Sequence, residues 1–115
     1  MERELLGRRC EPCADGTPPV TGTRLALLRQ QVPAWEIRDG RLGRTFELAD
    51  FRAAMAFLER VADVAEAEGH HPDFCVHYRV IDFSLWTHSI GGLSENDFIL
   101  AAKIDALLGQ AAPAG

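Results

Sequence analysis

The sequence contains no apolar run long enough to span a bilayer, and its first residues lack the apolar segment of a secretion signal. It also lacks a basic patch, because the formal net charge is −5 and the arginines are scattered along the chain. These absences argue against membrane, secreted and nucleic-acid-binding proteins. We therefore expect a cytoplasmic protein whose partners include neither a membrane nor a nucleic acid.

Cysteine is scarce, with three residues in the chain. Cys10 and Cys13 form a single C-x-x-C, and Cys75 stands alone far from them. A structural zinc site commonly needs two such pairs, and a redox C-x-x-C normally opens a helix after a strand, whereas this one lies among Gly, Pro and Arg. We interpret all three as reduced thiols rather than as a metal or redox site.

The apolar content is sufficient for one hydrophobic core. The chain has 115 residues, of which 47% are hydrophobic and 25% are charged, as in ordinary globular domains. Residues 1–20 have no sustained period and contain several prolines, so they predict an N-terminal arm laid on the surface or partly disordered. The single folded domain is expected over 21–109, followed by a frayed tail over 110–115.

Three segments have helical periodicity, over about 21–31, 51–68 and 94–108. The longest follows Asp50, a favourable N-cap residue, and ends before Gly69, which suits the left-handed position that terminates helices. We expect its apolar stripe at Phe51, Met55, Leu58, Ala62 and Ala65, widened by Ala54, Phe57, Val61 and Val64. Ser94 is expected to cap the last helix.

Four segments alternate apolar and polar residues, as half-buried strands do. The first two lie within 35–48 and are separated by Asp39-Gly40, a favourable hairpin turn. The third lies within 74–79, and the fourth is expected to run over 81–88. The order α-β-β-α-β-β-α predicts an α+β fold, with three helices packed on one face of a four-stranded antiparallel sheet.

The fourth strand predicts which side of the sheet is covered. Ile81, Phe83 and Leu85 should face the helices, because successive side chains of a strand point to opposite faces. Trp86 would then lie on the uncovered face. Since monomers rarely expose large apolar patches, we expect a subunit interface there and a homo-oligomer.

The histidines are the main candidates for chemistry. Three of the four lie between positions 70 and 77, and His88 follows the last strand-like segment. Histidine titrates near neutral pH, with a reference pKa of about 6.5, so the cluster is a candidate proton-transfer site. Taken singly, His70-His71 is better explained as a polar helix terminus, and His77 is more firmly explained as a polar residue in mid-strand.

Two acidic residues are further candidates for the site, and a metal site is another interpretation of the histidine cluster. Glu66, one turn before His70, is close enough in sequence to reach it. Asp97 has a purely structural explanation, because Ser94-x-x-Asp97 resembles a capping box. A metal site is less favoured than proton transfer, because adjacent histidines diverge and none has the i, i+4 spacing that places two ligands on one helix face.

Three motifs carry a resemblance to a known family. They are, in chain order, Glu66-x3-His70-His71-Pro72, Trp86-Thr87-His88 and the segment from Gly92 to Asp97. With the layout of the hairpin and the long helix, they resemble the bacterial pterin-4a-carbinolamine dehydratases over nearly the whole chain. The resemblance implies an α+β fold that associates through its sheets as a dimer or a dimer of dimers.

The resemblance also implies the roles of individual residues. The catalytic set would be His70, His71, His88 and Asp97, with Glu66 in support. The pterin would bind against these histidines and the pocket walls, which are Gly69, Trp86, Thr87 and Ser89. Pterin is then the substrate, and no metal, nucleotide or redox cofactor is expected.

The activity implied is dehydration of 4a-hydroxytetrahydropterin to quinonoid dihydropterin and water, in recycling of the cofactor of aromatic amino acid hydroxylases. Losing water from a carbinolamine needs one proton delivered to the hydroxyl and another removed from N5, which suits histidine acid–base catalysis. The alternatives are a protein-binding or assembly factor on the same fold, and a metal-binding protein.

Overall fold

The computed structural model describes residues 5–14 and 16–108. Its elements, in chain order, are a short 3₁₀ helix Leu5–Gly7, α1 (Gly22–Gln30), β1 (Glu36–Arg38), β2 (Arg41–Glu47), α2 (Phe51–Glu68), β3 (Asp73–His77), β4 (Val80–Leu85), a second 3₁₀ helix His88–Ile90, and α3 (Glu95–Leu108). The predicted element order and α+β class are confirmed. The predicted tail over 110–115 lies outside the described residues. None of the described helices combines the length and hydropathy needed to cross a membrane.

The four strands form one antiparallel sheet in the order β1-β2-β4-β3. The β1–β2 turn is made by Asp39 and Gly40, with φ of 51° and 74°. Two residues with positive φ are what a tight hairpin turn requires, so the Asp-Gly prediction is confirmed. β4 lies inside the sheet between β2 and β3, and the chain leaves it directly towards the histidine-rich end of the molecule.

The helices cover one face of the sheet, and the core between them is aromatic. Ile81, Phe83 and Leu85 of β4 are buried, as predicted. The Phe46 ring of β2 packs on the Phe57 ring of α2 with centroids 5.3 Å apart, and on the Phe83 ring at 5.4 Å. This contact decides how α2 is oriented on the sheet.

The predicted stripe of α2 is partly wrong. Phe51 is 52% exposed and Ala62 is also exposed. The buried face consists of Ala54, Phe57, Val61 and Ala65, most of which we had assigned to the flank of the stripe. The predicted stripe and the observed face both have helical spacing. The observed face is the buried one because it carries Phe57, which packs on the aromatic side chains of the sheet.

Both strands of the second hairpin are shorter than predicted. β3 ends at His77, because Tyr78 turns the chain with φ of 58°. β4 ends at Leu85 instead of His88, because the backbones of Thr87 and Gly92 pair and close a loop. The Thr87 N–H donates to the Gly92 carbonyl at 2.8 Å. This loop moves His88 off the strand to the rim of the sheet.

The uncovered face of the sheet carries Trp86, as predicted, but its other residues are mostly polar. They include Glu36, Arg38, Thr45, Glu47, Cys75, His77, Asp82 and Ser84. The Thr45 hydroxyl hydrogen-bonds to Asp82 across β2 and β4. The subunit interface at this sheet stays a prediction.

The N-terminal arm is more deeply packed than expected. Leu5 is part of the hydrophobic core, and its short helix contacts α3. The Leu5 amide donates to Gln31 Oε1 at 3.0 Å. Ile99 and Leu100 of α3 are buried as well. The arm therefore has a fixed path over the helices.

Candidate active site

His70 lies just beyond the end of α2. Gly69 adopts φ 67° and ψ 27°, the left-handed conformation that terminates a helix, as predicted. His70 Nε2 then lies 2.7 Å from Asp97 Oδ1 in the first turn of α3. The side chain of Asp97 is fully buried, and that of His70 is 12% exposed. The ends of two helices thus meet in a buried histidine–carboxylate pair.

Asp97 serves the helix and the histidine at the same time. Its Oδ2 accepts hydrogen bonds from the Ser94 amide at 2.9 Å and from the Thr87 hydroxyl at 2.8 Å. Ser94 Oγ in turn accepts from the Asn96 amide at 3.2 Å. The capping box is therefore present, but it uses one carboxylate oxygen and leaves the other for His70.

His71 has a carboxylate partner of its own. Its Nε2 lies 2.6 Å from Glu66 Oε2. The His71 and Glu66 side chains are 60% and 76% exposed, so this contact lies in solvent. The expectation that Glu66 reaches His70 is wrong, because the helix terminus turns His70 towards α3 and leaves His71 facing back along α2.

His88 is held by ring stacking. Its imidazole packs on the Trp86 indole with ring centroids 4.1 Å apart. Trp86 is itself fixed, because its Nε1 donates to Asp73 Oδ2 at 3.2 Å and the Arg41 guanidinium lies 4.3 Å from its ring centroid. The loop after β4 thus places a third imidazole near the end of α2.

The three histidines and Trp86 line one cavity of about 510 Å³. Its lining includes the predicted residues Gly69, His70, His71, Trp86, Thr87, His88 and Ser89. Asp97 and Glu66 do not line it, but each contacts a histidine that does. His77 lies apart, on the uncovered face of the sheet. The volume is in the range of small-molecule sites, roughly 300–1,000 Å³.

Several lining residues were not foreseen from the sequence. They are Cys10, Glu11, Pro12 and Cys13 of the arm, with Glu68, Asp73 and Asn96. The C-x-x-C was the one visible signal, and we had assigned it to an arm with no part in the site. Nothing in the local sequence shows that this segment folds back over the ends of α2 and α3.

The arm brings a thiol next to a charged group. Glu68 accepts a hydrogen bond from the Cys10 amide at 2.8 Å and another from Lys103 Nζ at 2.8 Å. Burial acts to raise the pKa of Glu68, but the hydrogen bonds from Lys103, Cys10 and Arg9 outweigh it and lower that pKa below its ordinary value. Burial, followed by the nearby Glu68 charge, raises the pKa of Cys10 to about 12. The Cys10 thiol is therefore neutral.

The arrangement is suited to proton transfer. A carboxylate that accepts from Nε2–H fixes the tautomer of an imidazole and leaves Nδ1 as a proton acceptor, and two of the three histidines have such a partner. All three cysteines are free thiols. In the described part of the chain, no three His, Cys, Asp or Glu side chains are grouped to hold a metal ion.

Comparison with known proteins gives one consistent result. The family model described as Pterin 4 alpha carbinolamine dehydratase matches residues 18–107. A relative from Rubrobacter xylanophilus is 43% identical over 105 residues, which cover 90% of this chain and 98% of the relative. One from Gloeobacter violaceus is 46% identical over 110 residues, covering 92% and 95%. Both bear the name of the same dehydratase.

A solved structure agrees. The crystal structure titled transcriptional coactivator/pterin dehydratase, from Brucella melitensis, superposes with a TM-score of 0.73 at 32% sequence identity. The match covers 77% of this chain and 97% of that chain.

Proposed function

The chain belongs to the pterin-4a-carbinolamine dehydratase family, and on that basis we propose that it removes water from 4a-hydroxytetrahydropterins. One structural observation carries the proposal: His70, His71 and His88 line one cavity, and two of them are held by carboxylates. A flat bicyclic ring with polar edges fits a cavity of this size and lining.

The reaction needs two proton transfers on neighbouring atoms of the ring. The bond from C4a to its hydroxyl breaks as a proton is delivered to the departing oxygen. N5 loses its proton, and its electron pair forms the double bond between N5 and C4a. The products are water and the quinonoid dihydropterin. No oxidation state changes overall, so histidines can supply what is required, and positioned acid–base groups typically contribute about 10²–10⁴-fold.

The proposed roles follow from how each imidazole is held. His70, buried against Asp97, is the most rigidly oriented and acts as one member of the acid–base pair. His71 and His88 provide the other proton transfer and contact the ring. In the cell, we propose that this activity returns the tetrahydropterin cofactor of an aromatic amino acid hydroxylase to use, in the cytoplasm.

Stopped-flow dehydration of a synthetic 4a-hydroxytetrahydropterin tests the proposal. We expect His70→Ala and His88→Ala to slow turnover by about 10²-fold or more, because each loses a positioned proton-transfer group. His77→Ala is the matched control, since His77 lies at the opposite end of β3 from Asp73, the residue of that strand that lines the cavity. Turnover by both cavity variants at the wild-type rate would refute the site, and an inactive wild-type protein would refute the function.

The alternative of a protein-binding factor without activity is less well supported. The histidine–carboxylate pairs are intact, and the cavity that they line is open to a ligand. A factor that only bound proteins would not need the buried His70–Asp97 pair, whose polar atoms have to be fully hydrogen-bonded to be tolerated.

A further inference from the structure

We propose that the arm segment Cys10–Cys13 is a wall of the pterin-binding site, and that Asn96 is the positioning residue that holds this wall against the cavity. The inference rests on the proposed function, because it assigns a new part of the same site. The arm is assigned to substrate binding, whereas the histidines are assigned to the reaction.

The arm segment precedes the part of the chain that the family model matches. Cys10, Glu11, Pro12 and Cys13 line the same cavity as the three histidines. The family model begins at residue 18. The Brucella melitensis protein aligns over 97% of its own chain while covering 77% of this one. The fold shared with that structure therefore carries the histidines, whereas the arm is partly shared with relatives such as the Gloeobacter violaceus protein, whose match covers 92% of this chain.

Asn96 fastens this wall by binding both backbone polar groups of one residue, Glu11. Its Oδ1 accepts from the Glu11 amide at 3.0 Å, and its Nδ2 donates to the Glu11 carbonyl at 2.6 Å. Nδ2 also lies 3.6 Å from Cys13 Sγ, and the Asn96 carbonyl accepts from the Cys10 thiol at 3.5 Å. Only a side-chain amide offers a donor and an acceptor in this arrangement. Asn96 is almost fully buried, as expected of a group whose polar atoms are satisfied.

The arm is bonded to the two helix ends that carry the catalytic pair. Asn96 immediately precedes Asp97 in α3, and Glu68, which binds the Cys10 amide, lies two residues before His70. The hydrogen bonds of Cys10 and Glu11 described above go to Glu68 and Asn96 rather than to the cavity histidines. We therefore expect the arm to affect substrate binding more than proton transfer.

Two alanine variants separate this role from simple attachment of the arm. Asn96→Ala removes the amide that binds the arm at the cavity. Gln31→Ala, the matched control, removes an amide that binds the arm at Leu5, away from the cavity. We expect Asn96→Ala to raise KM about tenfold, as the loss of two hydrogen bonds to the wall allows, with kcat changed less than about threefold. Gln31→Ala should leave both constants as in the wild type.

Thiol alkylation gives a readout that is independent of turnover. Cys13 is the reporter, because the Cys10 thiol is protonated, and Cys75 on the uncovered sheet face is the internal control. We expect biopterin, a stable pterin, to slow alkylation of Cys13 by iodoacetamide and to leave Cys75 unaffected, as followed by peptide mass spectrometry. In Asn96→Ala, Cys13 should react faster without ligand, and biopterin should protect it less.

The outcomes distinguish this inference from the proposed function. Wild-type protein that dehydrates the substrate and binds biopterin in equilibrium dialysis, yet shows no protection of Cys13, would overturn the wall and leave the activity standing. A melting temperature lowered by Asn96→Ala with KM unchanged would reduce Asn96 to a structural role. Wild-type protein that neither binds biopterin nor dehydrates the substrate would overturn both. If Asn96→Ala does not fold, protection of Cys13 in the wild type decides.

Discussion

At the scale of single residues, Asp97 shows how one buried carboxylate serves structure and chemistry together. One oxygen faces His70, and the other accepts from Thr87 and Ser94. A fully buried charge is tolerated only when hydrogen bonds replace the water that it has lost. The same bonds that stabilise the start of α3 therefore also orient the His70 imidazole.

Thr87→Val tests this coupling, because valine has the shape of threonine without the hydroxyl donor. We expect a loss of about 1–3 kcal/mol in the free energy of unfolding, as for a hydrogen bond to a charged group, together with slower turnover. Urea denaturation and the dehydration assay measure the two effects. Thr87→Ser keeps the donor and should retain most of both properties. A valine variant as stable and active as the wild type would remove Thr87 from the network.

At the scale of elements, the two ends of α2 show what sequence can and cannot predict. Asp50, which accepts from the Ala53 amide at 2.7 Å, and Gly69 were both predicted, because capping depends on neighbouring residues. The convergence of the histidines followed from the family motifs. The buried face of α2 depends on the sheet aromatics, and the arm wall depends on contacts to Asn96, which is 85 positions from Glu11. Contacts of that range leave no local pattern.

The end of α2 gives a second prediction. Gly69 has positive φ, and a Cβ placed there would meet no atom within 4 Å. Gly69→Ala should therefore cost only backbone strain, about 1–2 kcal/mol in the free energy of unfolding. Gly69→Asn should cost less, because asparagine tolerates the left-handed conformation better. Thermal and urea unfolding of the two variants measure this, and equal losses for Ala and Asn would contradict the explanation.

Glu68 joins the arm, α2 and α3, and it should make this junction sensitive to acid. Its pKa in the folded chain lies below the ordinary value of 4.5, so the unfolded chain binds the proton more readily. The stabilisation from Glu68 is then complete above pH 4.5 and is lost as pH falls through the folded pKa.

Replacing this carboxylate tests the sign of the effect. Glu68→Gln should be less stable than the wild type at pH 7, and the difference should shrink as the pH falls below 4.5. Urea unfolding at a series of pH values measures it. Glu59→Gln, on the exposed side of the same helix, is the matched control. A Glu68→Gln deficit that grows towards acid pH would contradict the assignment.

At the scale of the whole molecule, the candidate site is assembled from four distant parts: the arm, the end of α2, the loop after β4 and the start of α3. The sheet supplies the frame, because β4 lies inside it and delivers its following loop to the end of α2. The core aromatics fix α2 on this frame. A change in the core that rotates α2 would therefore move His70 away from Asp97.

Association through the sheet also belongs to this scale. The uncovered face is mostly polar, whereas the edge strand β3 carries Phe74, which is 47% exposed, and is followed by the exposed Tyr78. We therefore expect a dimer or tetramer that pairs through the edge of β3 and covers Phe74, since an unpaired edge strand readily pairs with another chain. Light scattering coupled to size-exclusion chromatography measures the mass, and Phe74→Ser should weaken the assembly. A monomer at micromolar concentration would contradict this expectation.

The two tryptophans lie in different environments, so their fluorescence can report on different events. Trp35 is fully buried in the core, while Trp86 lies in the cavity wall between His88 and Arg41. The fluorescence of Trp35 reports on unfolding, and the fluorescence of Trp86 reports on a ligand that enters the cavity. A chain with Trp35→Phe would therefore keep one tryptophan, in the cavity wall, so that ligand arrival could be timed by its fluorescence without any attached dye.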